Sequence, residues 1–178
     1  MKSNGVADCG AEQHIGGVMN VVEISTQASV QQVKREGGFE LACSADTAFP
    51  LFSPEGERLW IKEWNPTPIF PDTIEFRRDT VFRQGTGDGD AIWTIVDTDW
   101  KSHRAEYVRT APASHAAHIV VKVDPAGPER CYVNAAFTVT AFAEHGYALL
   151  ESFSENGYSA KMKAWQRQIT EYLETTRR

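Results

Sequence analysis

Histidines are the first residues to question for chemistry, because imidazole can ligate a metal or move a proton near neutral pH. The five here are His14, His103, His115, His118 and His145, and none stands in an H-E-x-x-H or His/Cys cluster of the kind zinc needs. His115 and His118 are three apart on a segment that reads as a strand, so they point to opposite faces, in solvent-facing or core-edge roles. No G-x-S-x-G elbow supports serine hydrolysis, and no paired Cys-His sites support a Rieske cluster. The glycine-rich residues 85–90 lack the Lys-Ser/Thr of a phosphate loop, and Asp88 and Asp90 would repel phosphate. No Glu closes a calcium loop after them, so the segment reads as a hairpin turn. No metal or other cofactor is therefore expected, and no residue is assigned as catalytic.

What remains is a density of large side chains: Phe52, Trp60, Trp64, Phe82, Trp93, Tyr107, Phe137, Phe153, Tyr158, Met162 and Trp165. Taken singly, each is a good core residue. Polar groups near them in the chain are Glu63, Glu106, Arg109, His118 and the Tyr107 hydroxyl. Strand alternation puts Glu106 on the face opposite Tyr107 and Arg109, so these groups cannot all converge.

The elements that must position these residues are legible in outline. Apolar residues at helical spacing over 143–178 predict a C-terminal helix of roughly 35 residues, about 50 Å long. Lys161 and Glu155 fall on its polar faces, and Asn156-Gly157 predicts a break that divides it into two limbs, the first limb and the break forming a movable cover. Residues 39–43 alternate as a first strand after the punctuation of Gly37-Gly38. Ser44 and Ser53-Pro54 then start two short helices, the second carrying Leu59, Trp60 and Trp64 inward. Strands are expected at 73–76, 80–84, 91–100, 103–110, 115–123 and 130–143, joined by short turns. Residues 1–17 are polar without a period and read as a flexible arm, whereas 18–36 allow either a helix or a strand. The division is an N-terminal arm over 1–37 and one domain over 38–178.

Composition limits the function classes. The 178 residues are 42% hydrophobic and 11% aromatic, enough for one sizeable core. A net charge of −6 with no basic block argues against nucleic acid. No run is long enough for a membrane span, and no charged-then-apolar leader opens the chain. Cys9, Cys43 and Cys131 lack C-x-x-C spacing and suit free thiols, so a cytoplasmic location is expected.

A long helix across a curved antiparallel sheet buries both apolar faces, which gives an α+β two-layer fold. This element order, with the run from Ala45-Asp46-Thr47-Ala48-Phe49 to Glu57-Arg58-Leu59-Trp60 and the later Asp79-Thr80-Val81-Phe82, resembles the START and birch-pollen-allergen superfamily called SRPBCC. The resemblance covers about residues 39–173. It implies a helix-grip fold: a curved sheet wrapped around the C-terminal helix, two short helices after the first strand, and an internal cavity. Such a cavity would hold a small hydrophobic or aromatic ligand, lipid-like or polyketide-like, against Trp60, Trp64, Trp93, Tyr107, Phe137, Phe153, Tyr158 and Met162. The alternatives are a cyclase/dehydratase- or hydrolase-like enzyme using a cavity acid or base, and a protein-interaction domain of the activator-of-Hsp90-like branch. The expected partner is the small ligand, and a homodimer is compatible with this reading.

Overall fold

The clean alternation of Cys131, Val133, Ala135, Phe137, Val139 and Ala141 becomes the buried face of one long strand in the computed structural model, which describes residues 30–85 and 90–176. Seven strands form a single antiparallel sheet: β1 (Gln31–Leu41), β2 (Thr67–Phe70), β3 (Val81–Gln84), β4 (Ala91–Asp99), β5 (Arg104–Ala111), β6 (His115–Gly127) and β7 (Arg130–Ala141). Their spatial order is β1-β7-β6-β5-β4-β3-β2, so among the described residues the first strand pairs with the last and every other neighbour is sequential. Register shifts at Ile95/Asp97 and Pro125/Gly127 add local bends of the kind that curve a sheet.

β1 is longer than expected. It pairs with β7 from Gln31↔Ala141 to Leu41↔Cys131, so the boundary placed at residue 37 falls inside a strand. Its first half, Gln31 to Glu36, is polar and largely exposed, and an edge strand of that kind leaves little periodic signal. Gly37-Gly38 is not punctuation either. A Cβ on Gly38 would lie 1.9 Å from the Val133 carbonyl oxygen, so the close approach of β1 to β7 requires glycine there. The arm expected at 1–17, and most of the ambiguous 18–36, lie outside the described residues.

The short helices start where their caps predict. Ser44 Oγ accepts from the Thr47 N–H ahead of α1 (Ala45–Ala48), which runs into one turn of 3-10 helix, Phe49–Phe52. Ser53 Oγ accepts from the Gly56 N–H ahead of α2 (Pro54–Glu57), with Pro54 in the first turn. α2 ends after one turn, so Leu59 is exposed while Trp60 turns into the core. The strand expected at 73–76 is irregular in structure, and the edge strand β2 comes instead from Thr67–Phe70. Pro68 hid this, because proline is admitted to sheets chiefly at edges.

The C-terminal helix does break, but earlier than expected. α3 (Glu144–Glu151) stops, Phe153 turns inward and is buried, and α4 (Glu155–Thr176) begins. Ser154 Oγ accepts from the Gly157 N–H at 3.2 Å, so a serine cap sets the restart and Asn156-Gly157 belongs to the first turn of α4. α4 buries Tyr158, Met162, Ile169 and Leu173, a stripe at spacings that share one helix face. That stripe closes over Phe39, Leu41 and the inner face of β7 in one continuous core. Cys43 and Cys131 are buried in it as thiols. Among the described residues, no helix is long and apolar enough to cross a membrane.

Candidate functional site

Alternation along β4, β5, β6 and β7 sends Trp93, Tyr107, Arg109, His115, Ala117, Ile119, Phe137 and Val139 to the concave side of the sheet. They do not meet α4 everywhere. A cavity of about 210 Å3 remains, closed by Phe52, Pro54, Glu57, Ile61 and Trp64 at one end, and by Leu149, Phe153, Lys161 and Trp165 from the broken helix. It is mostly apolar, with polar groups at few points, the composition expected of a small-molecule site.

The aromatic wall is fixed by ring contacts and by hydrogen bonds to the backbone. Phe82 stacks on Trp93 at 5.8 Å, and Trp64 meets Trp93 edge-on at 5.4 Å. Trp64 Nε1 donates to the Pro54 carbonyl at 2.7 Å, and the Tyr107 hydroxyl donates to the Phe52 carbonyl at 2.7 Å. The Trp93 indole N–H is buried without a partner. Burial pushes the Tyr107 phenol well above its usual range, and the nearby Glu57 carboxyl adds to this. Glu57 is itself pushed well above the usual carboxylate range by burial. A carboxyl so placed keeps its proton at higher pH than an exposed one.

The basic groups gather at another part of the cavity. Arg109 Nη1 donates to His115 Nε2. Arginine has only donors, so Nε2 must be the acceptor and the His115 proton sits on Nδ1, donated to Ser114 Oγ at 2.9 Å. Burial, with the charge of Arg109 next, lowers His115 to about 4, so the imidazole is neutral. The Arg109 guanidinium lies 5.7 Å from the Trp93 ring centre. Lys161 Nζ lies 4.8 Å from the Phe153 ring centre and 5.6 Å from that of Phe137. Burial lowers both cations' pKa values, and Arg109 further lowers that of Lys161.

Of the eight residues expected to share a cavity, Trp64, Trp93, Tyr107, Phe137 and Phe153 do line it. Trp60, Tyr158 and Met162 do not. Trp60 is buried against Phe52 and Trp165, with Nε1 donating to the Leu51 carbonyl at 2.8 Å. Tyr158 and Met162 border a separate, more polar recess between β1 and α4, beside Gly37 and Gly38. Their stripe faces β1 because the break at 152–154 resets the phase of the helix. Among the polar candidates, Tyr107 and Arg109 face the cavity, Glu63 is exposed, and Glu106 pairs with His118 at 2.7 Å on the opposite face of the sheet. Lys161, placed on a solvent face by its spacing, is instead a wall residue. His115 and Glu57 were not among the candidates. Only the inward phase of β6 that follows from its pairing with β5 could have marked His115. Among the described residues, no three His, Cys, Asp or Glu side chains cluster as a metal site would require.

No family model and no curated protein sequence matches the chain. Solved structures do. Norcoclaurine synthase from Thalictrum flavum, in complex with dopamine and hydroxybenzaldehyde, is 14% identical with a TM-score of 0.57, covering 95% of this chain and 98% of that one. The Zhui aromatase/cyclase from a Streptomyces species is 15% identical with a TM-score of 0.57, covering 75% and 91%. A putative uncharacterized protein from Rhizobium leguminosarum is 15% identical with a TM-score of 0.59, covering 83% and 97%. Identities this low speak for fold and not for activity. With its curved seven-stranded antiparallel sheet, two short helices after the first described strand and long C-terminal helix, the chain has the helix-grip fold of these solved structures.

Proposed function

We propose that this protein binds a small, largely aromatic molecule in the cavity between α4 and the concave face of the sheet. The observation that carries the reading is the cavity itself, about 210 Å3 walled by Phe82, Trp64, Trp93, Phe137 and Phe153 with a few polar groups facing in. A void of roughly 150 Å3 lined by apolar side chains already holds benzene, so there is room here for a substituted ring. The structural likeness to an enzyme complexed with dopamine and hydroxybenzaldehyde, and to an aromatase/cyclase, supports a ligand of this class. Native mass spectrometry of freshly purified protein, followed by thermal-shift titration with flavonoid, fatty-acid and polyketide-like compounds, tests it. A co-purifying small molecule, or saturable stabilisation by an aromatic member of the panel, is expected. No retained mass and no stabilisation by any compound would refute it.

One observation favours a second reading, a cyclase- or dehydratase-like enzyme. Glu57 borders the cavity and holds its proton above the usual carboxylate range, the state a general acid needs. Under this reading Glu57→Gln abolishes turnover of a bound substrate while leaving its affinity within a few-fold. Turnover that survives Glu57→Gln would exclude Glu57 as the acid.

A further inference from the structure

We infer that the ligand is an aromatic acid whose carboxylate sits between Arg109 and Lys161, with its ring against Trp93 and Phe137. This rests on the cavity-binding reading above and names its ligand class. The chain has 24 acidic residues against 18 Lys and Arg, so carboxylates are in excess and an unmatched cation stands out. The exposed arginines Arg58, Arg77 and Arg83 and the half-buried Arg104 each lie beside a Glu or Asp. The two half-buried cations of the cavity do not: neither Arg109 nor Lys161 pairs with a carboxylate among the described residues.

Glu57, the acidic residue of the cavity wall, does not fill this role. Its influence falls on Tyr107, and no carboxylate contributes to the shifts of Arg109 or Lys161. The cations rest against ring faces instead, Arg109 on Trp93 and Lys161 on Phe137 and Phe153. A ring face offsets less of the desolvation of an ion than a paired carboxylate does. Two cations that line one cavity, Arg109 from β5 and Lys161 from α4, repel each other until an anion lies between them. His115 takes one guanidinium N–H, is neutral, and adds no counter-charge. The remaining guanidinium edge is a planar pair of donors, which a carboxylate matches and Lys161 can supplement as a point charge. The Trp93 indole N–H is a further unspent donor on a wall residue.

The experiment compares acids with their neutral isosteres: benzoate with benzamide, cinnamate with cinnamamide, and naphthoate with naphthamide. Calorimetry at low salt reads the affinities for wild type, Arg109→Gln and Lys161→Met. Both substitutions remove a half-buried charge and are expected to leave the fold intact, which circular dichroism checks. At least one acid is expected to bind roughly tenfold or more tightly than its amide. Each variant should reduce that ratio by weakening the acid more than the amide. Equal binding of acid and amide, or a preference that survives both substitutions, overturns the carboxylate seat and leaves the cavity reading standing. No binding of any acid, amide or neutral aromatic compound overturns both.

Discussion

Replacing Phe137 with Ala distinguishes a wall from a filler by the size of the loss. In a filled core, Phe→Ala costs about 3–5 kcal/mol, made of a transfer contribution plus a cavity contribution that grows by about 24 cal/mol per Å3 of void. Phe137 is buried, with ring partners Phe153 at 5.5 Å, Tyr158 at 5.9 Å and Trp165 at 6.0 Å. Lys161 Nζ lies 5.6 Å from its ring centre, and the ring also borders the cavity of about 210 Å3, where fewer packing partners are lost. The transfer contribution, roughly 1.5–3 kcal/mol, survives in full. The cavity contribution shrinks because the new space joins space already present. A loss of about 2–3 kcal/mol is therefore expected in urea denaturation, with an unchanged m-value. Ligand preference should shift toward larger rings at the same time. A loss of about 4 kcal/mol or more, with no change in ligand preference, would refute the argument and make Phe137 an ordinary core residue.

Other consequences are open to simple tests. His115 is held at about 4, below the ordinary 6.5, so its contribution to stability is complete above pH 6.5 and is lost as pH falls toward 4. The loss is roughly 3 kcal/mol at most. His115→Gln should flatten stability over that window in urea midpoints measured from pH 7 to 4, and an unchanged slope counts against the buried neutral imidazole. Glu57 has the opposite sign: its pKa is raised, so its contribution is complete below the usual carboxylate range and is lost as pH rises through the raised value. Glu57→Gln should thus be more stable than wild type at neutral pH but not at acid pH; no gain at pH 7 would contradict this. Gly157→Ala should destabilise by about 1–3 kcal/mol despite the better helix former, because the added Cβ would lie 2.6 Å from the Ser152 carbonyl oxygen; a rise in melting temperature would show that the break relaxes freely. The hydrogen bond with Cys43, together with burial, drives the Cys131 thiol far above its usual range. Mass-mapped alkylation should spare Cys43 and Cys131 until the protein unfolds, and rapid native labelling of either would place it in contact with solvent.

Period and caps were legible in the chain because they are local. Cys131 to Ala141 showed its face without a partner, and Ser44 and Ser53-Pro54 marked helix starts that the structure places at those residues. The strand β2 was missed because an alternating Thr73-Ile74-Glu75-Phe76 looked better than a segment with proline at its second position. The half-polar start of β1 was missed because its pairing with β7 spans about 100 residues of chain and leaves no local trace. The aromatic wall was partly visible, as Trp64, Trp93, Tyr107, Phe137 and Phe153 show. The basic cluster was not. Lys161 reads as solvent-facing on any single-helix count, and only the break at Phe153 and the register of β5 with β6 place it, Arg109 and His115 on one cavity wall.

The edge strand β2 has one more consequence. All four of its residues are exposed, including Ile69 and Phe70, which would ordinarily invite another extended chain to add itself to the sheet. Pro68 supplies no N–H in the middle of that edge, and Pro66 and Pro71 flank it at either end. A visiting strand would meet an incomplete row of donors over a four-residue target, too short to compensate for its own ordering. The prolines that obscured this strand in the sequence therefore also make it a poor template for runaway polymerisation, leaving its apolar side chains exposed at little risk.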